Sequence, residues 1–597
     1  MRINILRFPG CLVLLAILML ASCEKEMDKY YKIPDWLKGN AYELLDSRGN
    51  FTHFLEAVER AGFKDVIRGK GIITVMAPTD DAFAKYLNGK GVQNVSDLPA
   101  AELKKLVGLH LVYYSFDRSK FLNYRPEGNS SQNETYDDAG LYYKFRTKSS
   151  SLPEEYIDNT LPNDASDRSK TVYHKELFLP VFSDRLFETK QIDPAANYGY
   201  FYPSTSWPGT DSAFCVSNAH VEEYELVTDN GYVYIIDQVI EPVETIHKQL
   251  AENPDYSLFQ SLYDRFSDFQ FDEGLTLNYG NGEELYLYYH VDLPKIASEW
   301  SYNGESGLPD YADLGRLSRL SNNVFAPNND ALTGFFDDFW SPFYPDISLV
   351  HFLPVKYLLD NQVYEGDIVF PEEIEAGKIT SRYGNVIQFN TQDVSLKRIC
   401  ANGTLYGLNS LSVPRMFEGI TAPAFQNPAY RMFLHMMDQS EMVQPLMSDN
   451  VDFQLFLPTD SMMEGNTTIY GRRLLYQNLN PNKYGEQNIM IEGDDEPWIL
   501  MKTSLMEGVV KNHVATRLMS STGNAKIYKT LNSYQYLLLE DDEKVWSSFI
   551  YNNYPDRPVT FTLNSERFNG KVFDLSGEDA MALIQDYNLF KDQVTKN

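Results

Sequence analysis

Apolar and polar positions alternate along this chain in three recurring patterns, always in the same order. The first pattern is an apolar triplet spaced i, i+3, i+7: Phe51, Phe54 and Val58, then Tyr256, Phe259 and Tyr263, then Tyr430, Phe433 and Met437. That spacing lines one face of a helix. The second is a short apolar run closed by proline, "VMAPTDDAF" from Val75, "VFAPNNDAL" from Val324 and "LFLPTDSMM" from Leu455. The third is an Asn-Gly pair leading an apolar run, "NGYVYII" at Asn230, "NGTLYGL" at Asn402 and "NGKVFDL" at Asn569. Asn-Gly is a strong turn signal ahead of a strand.

The proline motif predicts a corner where a strand gives way to a helix. Pro78, Pro327 and Pro458 block continuation of the strand. Thr79, Asn328 and Thr459 follow where a helix N-cap belongs, each able to accept from open backbone N–H groups. Asp80 and Asp81, Asp330, and Asp460 place negative charge at the positive end of the helix dipole. Phe83, Leu332 and Met463 then return an apolar side chain to the core. Between corner and Asn-Gly lies an apolar segment carrying His110, His351 or His513.

Landmarks in one fixed order, three times over, predict three repeated folding units. The set resembles the fasciclin, or FAS1, family. The proline corners correspond to that family's first motif, the histidine segments to its second, and "NGYVYIIDQVIEP" is close to its final strand. The resemblance implies an α+β architecture of tandem FAS1-like domains, each a small twisted β-sandwich with packed helices. The expected limits are 37–243, 244–420 and 421–597, behind a signal peptide at 1–22 and a tether at 23–36.

Spacing between landmarks locates insertions. Helix to proline is 27 residues in the first copy (Phe51 to Pro78), 71 in the second (Tyr256 to Pro327) and 28 in the third (Tyr430 to Pro458). Proline to histidine is 32, 24 and 55, and histidine to Asn-Gly is 120, 51 and 56. Insertions are therefore expected at about 118–212, 270–322 and 464–500. Surface loops tolerate extra length at small cost and often carry function.

Whole-chain quantities narrow the partners. The 597 residues exceed what one core accommodates. A formal charge of −31 repels nucleic-acid phosphate and anionic membrane, and leaves neutral or cationic partners open. The N-terminus pairs Arg2 and Arg7 with an apolar run from Cys11 to Ala21, too short to span a bilayer and suited to a signal peptide. "LASC", Leu20 to Cys23, resembles the lipobox of bacterial lipoproteins, which implies cleavage before Cys23 and lipidation of its thiol. The acidic run Glu24, Lys25, Glu26 and Asp28 resembles the surface-export signal of Bacteroidota lipoproteins. The tether before the first helix reaches at most roughly 60–70 Å. Cys215 and Cys400 lie outside any CxxC or Cys/His spacing and read as buried thiols.

Candidate chemistry is sparse. Each of the three histidines stands alone on an apolar segment, which favours a packed imidazole held by backbone hydrogen bonds over a metal ligand. Within FAS1 domains, the resemblance implies that this position is connected with adhesion and loop dynamics. The acidic clusters "EGDDEP" (Glu492 to Pro497) and "EDDEK" (Glu540 to Lys544) lack the ligand alternation of a calcium loop and read as solvated turns. No catalytic or cofactor fingerprint appears, so no cofactor, metal or catalytic residue is expected. Two aromatic clusters stand out: Tyr198, Tyr200, Tyr202 and Trp207 at the end of the first insertion, and Trp340 and Tyr344 beyond the second corner. Such rings suit sugar faces or a protein interface, or they seal domain junctions.

The leading expectation is a non-enzymatic lipoprotein of the outer membrane, held by its lipid alone and facing the cell exterior. By its resemblance to Bacteroidota lipoproteins, it would serve a SusC/SusD-like polysaccharide-utilisation importer, binding a glycan or docking on the transporter. The alternatives are a cell-adhesion protein acting through its FAS1 domains, and a hydrolase with a carboxylate pair that leaves no local signature.

Overall fold

The computed structural model describes residues 39–123, 142–150, 153–174, 177–209, 214–297, 314–465, 473–493, 496–533, 535–553, 555–556 and 558–576. The expected signal peptide, Cys23 and the expected tether lie outside these residues. Each proline motif ends an interior strand, paired on both sides and termed the central strand of its copy. In the first copy, Ile73–Pro78 pairs parallel with Gly231–Ile236 and antiparallel with Leu111–Tyr113. In the second, Ser321–Pro327 pairs parallel with Gly403–Leu408 and antiparallel with Val363–Gly366. In the third, Phe453–Leu457 pairs parallel with Gly570–Ser576 and antiparallel with Val514–Thr522. These central strands are almost wholly buried, which accounts for their unbroken apolar runs.

The corners form as their side chains dictate. Thr79, Asn328 and Thr459 accept from the backbone N–H of Ala82, Ala331 and Met462 at 3.3, 2.9 and 3.3 Å. The following residue has a role beyond the helix dipole. Asp80, Asn329 and Asp460 each accept a backbone N–H from the start of the upstream apolar helix, from His53 (2.8 Å), Leu258 (2.9 Å) and Met432 (2.7 Å). Those helices begin at Phe51, Tyr256 and Tyr430, whose side chains cap nothing. The corner helix supplies the missing cap from outside, locking two helices together.

The Asn-Gly pairs do more than turn the chain. Asn230, Asn402 and Asn569 are buried, and the Oδ1 of each accepts the backbone N–H of Ala41, Ile246 or Ile420 at 3.0 Å, at or just before a helix start. Their Nδ2 groups donate to carbonyls in the segments that lead toward the central strands: Ile67 and Gly69, Lys295 and Ile296, and Leu446. Their own carbonyls receive the N–H of Ile73, Asn322 and Phe453 at 2.9, 2.9 and 3.0 Å. The glycine is equally constrained. At Gly231, Gly403 and Gly570, φ is 143°, 150° and 143°, and a Cβ would fall 1.8, 1.9 and 2.0 Å from a carbonyl oxygen of the central strand.

The chain separates into two compact units. One takes the described residues of Met1–Leu122, Thr147–Ser149 and Phe214–Glu241; the other takes those of Asn123–Arg146, Ser150–Ala213 and Pro242–Asn597. The division is thus twofold where three domains were expected, because the second and third copies share one apolar core that includes Trp340, Phe417, Phe425, Phe433 and Val572. Most of the first-copy insertion belongs to that same unit. Its strands Glu154–Ile157 and Ser169–Val172 join Tyr286–His290 and Ser267–Phe271 in a four-stranded sheet. The third copy departs from a sandwich: hairpins between His513 and Asn569 close its sheet into a seven-stranded barrel filled by Phe456, Leu537, Trp546 and Phe561.

Replacing Asn230 by alanine leaves a buried N–H and two carbonyls without their partner, at a cost of about 2–4 kcal/mol. Gly231→Ala forces a backbone clash and costs more. Urea unfolding of the two variants should show both midpoints lowered, that of Gly231→Ala further.

Candidate functional site

Three side chains far apart in sequence converge within the second unit. His247 sits in the first turn of the helix Ile246–Ala251, Asp264 ends the helix Ser257–Asp264, and His290 ends the strand Tyr286–His290. The Nε2 atoms of His247 and His290 lie 2.8 and 3.4 Å from the same oxygen, Asp264 Oδ1, and Tyr288 Oη donates to it at 2.9 Å. The two imidazole centroids are 5.7 Å apart. His290 is fully buried and His247 nearly so, while the Asp264 side chain is 32% exposed and forms the solvent-facing edge. Burial opposes ionisation of Asp264, but the hydrogen bonds from His247 and His290 outweigh it and hold the carboxyl below its ordinary range. Burial also pushes the His290 imidazole down to about 4, against the pull of Asp264. The resting site is therefore a carboxylate flanked by a neutral His290. No local spacing could announce it, since 26 residues separate Asp264 from His290.

The aromatic candidates turn inward. Tyr198 is buried against Phe182, Tyr202 and Trp207, with centroids 5.7, 5.0 and 5.3 Å away. Trp207 is half-buried and donates through Nε1 to Asp184 at 3.0 Å. Tyr200 donates to the carbonyl of Thr391 at 2.9 Å and carries the Lys397 ammonium 3.8 Å over its ring. Trp340 is 0% exposed and donates to the carbonyl of Phe425 at 3.0 Å, and Tyr344 is buried nearby in the same core. These rings pack between the first-copy insertion, the second copy and the third, which favours the sealing of junctions among the three alternatives that the sequence left open. The physical reason is area: rings of this size contribute most when removed from water on both faces. Of the acidic clusters, Asp541 and Asp542 form the left-handed turn of a hairpin. Glu492 to Pro497 falls partly outside the described residues. Cys215 and Cys400 are both buried.

Residues 49–155 match the model of the fasciclin domain. This part of the chain is a fasciclin domain. A curated protein of Synechocystis sp., itself uncharacterized, is 34% identical over 80 residues, which cover 13% of this chain and 59% of that protein's length. Among solved structures, a FAS1 domain pair from the insect cell adhesion molecule Fasciclin I aligns with 62% of this chain and 98% of its own. Its TM-score is 0.18 and its identity 13%.

The fasciclin domain holds the Pro78 corner and His110. His110 is buried behind the helix Ala100–Leu109; its Nδ1 donates to the carbonyl of Leu106 at 2.9 Å and its Nε2 accepts the N–H of Ile240 at 3.1 Å. Both ring nitrogens are therefore satisfied in the neutral form. His513 repeats the first of these bonds, with Nδ1 2.7 Å from the carbonyl of Val509, while its buried Nε2 lacks the second. His351 does not. The residue whose carbonyl meets the central strand is His110 in the first copy, His513 in the third and Gln362 in the second, each bond being 2.9 Å. Gln362 Nε2 also donates to Leu358 at 3.1 Å, four residues back, as the histidines do. Its distance from Pro327, 35 residues, is closer to the 32 between Pro78 and His110 than is the 24 to His351. His351 instead stands at the start of the helix Phe352–Asp360, with Nε2 2.7 Å from Tyr476 Oη. The pairing of His351 with the other two is therefore corrected: an amide can replace imidazole because the position requires a buried donor to a carbonyl.

Burial pushes His110 down to about 4, with the Leu106 carbonyl opposing. An unfolded chain takes up a proton near the ordinary value of about 6.5 that the folded domain refuses, so this residue lowers stability as pH falls from about 6.5 to about 4. His110→Gln, which copies the second repeat, should keep the far-UV circular dichroism. It should remove about 2 kcal/mol of the stability lost between pH 8 and pH 5, read as a flatter dependence of the urea midpoint on pH.

Proposed function

We propose that this chain is a lipid-anchored, non-catalytic surface protein whose fasciclin-type units dock on a partner protein complex. The observation that carries the reading is the lipobox at Leu20–Cys23 with its acidic run, placed ahead of a fasciclin domain. Acylation of Cys23 would hold the protein at the outer membrane, and the short tether would keep it near its neighbours there. By the resemblance to Bacteroidota lipoproteins, the partner is a SusC/SusD-like importer of polysaccharide fragments. The inward packing of Tyr198, Trp207 and Trp340 favours docking on the transporter over direct stacking of sugars on those rings. The formal net charge of −31 suits a neutral or basic face on the partner.

Adhesion is the second reading, and the fasciclin domain itself supports it. The two readings part in one experiment. A tagged chain is recovered from membranes in mild detergent, with Cys23→Ala alongside and protease shaving of intact cells. Docking on an importer predicts co-purification of a transporter, removal of the tagged domain by protease, and loss of membrane association in Cys23→Ala. An intact transporter-free preparation, combined with impaired cell attachment on deletion, would replace docking by adhesion.

A further inference from the structure

Among the described residues, one group of metal-ligating side chains brings its donor atoms together: His247, Asp264 and His290, all within 4.8 Å of one another. We propose that His247 Nε2, Asp264 Oδ1 and His290 Nε2 bind a divalent first-row transition ion, for which Zn²⁺ is the fitting probe. This goes beyond the docking role and does not depend on it.

The donor set argues for that class. Two imidazoles with one carboxylate suit zinc, iron or nickel, whereas calcium and magnesium take oxygen ligands. Around a tetrahedral ion with bonds of about 2.0–2.1 Å, ligand atoms lie roughly 3.3 Å apart. The observed separations of 2.8 and 3.4 Å bracket that value, so a small swing of the rings suffices. The backbone frame is already set. The N–H of His247 is bonded to the carbonyl of Ile296 at 3.1 Å, and His290 is held in register opposite Ser267. An ion can enter past the Asp264 carboxylate, the only one of the three side chains with substantial exposure. Tyr288 would remain a donor to the carboxylate, as outer-sphere groups at metal sites commonly are.

Two features limit the affinity. His290 Nδ1 is buried with no acceptor to orient it. Lys295 Nζ donates to the His290 carbonyl at 2.6 Å and adds positive charge nearby. Missing outer-sphere support costs roughly 10–100-fold, so the site should bind more weakly than a fully supported zinc centre. Its consequence would be mechanical. The three ligands come from the opening helix of the second copy, its apolar helix and a strand of the excursion sheet, so a bound ion would clamp the excursion onto the second copy.

The test uses the full chain, stripped with chelator and titrated with Zn²⁺ by calorimetry and with Co²⁺ by visible absorption. About one equivalent should bind, with Co²⁺ giving the intense ligand-field bands of a four-coordinate site, and Zn²⁺ should raise the melting temperature. Asp264→Asn and His247→Gln should each weaken binding at least tenfold while keeping the wild-type circular dichroism. They carry the test because His290, fully buried, is a riskier substitution. Absence of uptake, or wild-type affinity in both folded variants, would overturn the assignment.

Discussion

One buried asparagine per copy holds this structure together. Asn230, Asn402 and Asn569 each accept from a backbone N–H near a helix start, donate to a segment approaching the central strand, and offer their own carbonyl to the first or second residue of that strand. A buried amide side chain can satisfy an orphan donor and orphan acceptors at once, and leaving any of them unpaired inside a core is costly. The glycine beside it allows the two parallel strands to approach where a Cβ would strike a carbonyl oxygen. The strands so joined are far apart in sequence, and this clamp returns the end of each copy to its beginning.

That arrangement accounts for how differently the three copies grow. Chain inserted between the clamp, the corner and the capped helix lengthens a loop without touching the bonds that define the unit, and lengthening a loop costs little. The first copy extends after Leu111–Tyr113, the second before its central strand, and the third both before and after His513. The excursions then find partners of their own. Tyr200 and Phe201 of the first insertion pack on Tyr406 of the second copy, and Lys190 pairs with Glu373 there at 3.0 Å. These rings become packing material in place of open binding platforms.

The chemistry follows the same division. His110 and His513 are buried and neutral, each with Nδ1 bonded to a helix carbonyl, which makes them structural. The only described convergence of ligating side chains arises where an excursion strand brings His290 against His247 and Asp264. The repeated frame supplies two of these groups, and the inserted strand brings the third against them.

Much of the frame was legible in the amino-acid order alone. The corner caps Thr79, Asn328 and Thr459, the apolar helix faces and the Asn-Gly strands all depend on neighbours within a few residues, so their spacing announces them. The role of Asp80, Asn329 and Asp460 in capping another helix was hidden, because its partner lies 27 to 71 residues upstream. The equivalence of Gln362 with His110 and His513 was hidden too, since it rests on which carbonyl meets the central strand and not on residue type. Burial of the aromatic clusters and assembly of the histidine–carboxylate group were decided only when distant segments packed. Local periodicity reports what a residue does to its own element; which elements meet depends on the balance of buried area and satisfied hydrogen bonds across the whole unit.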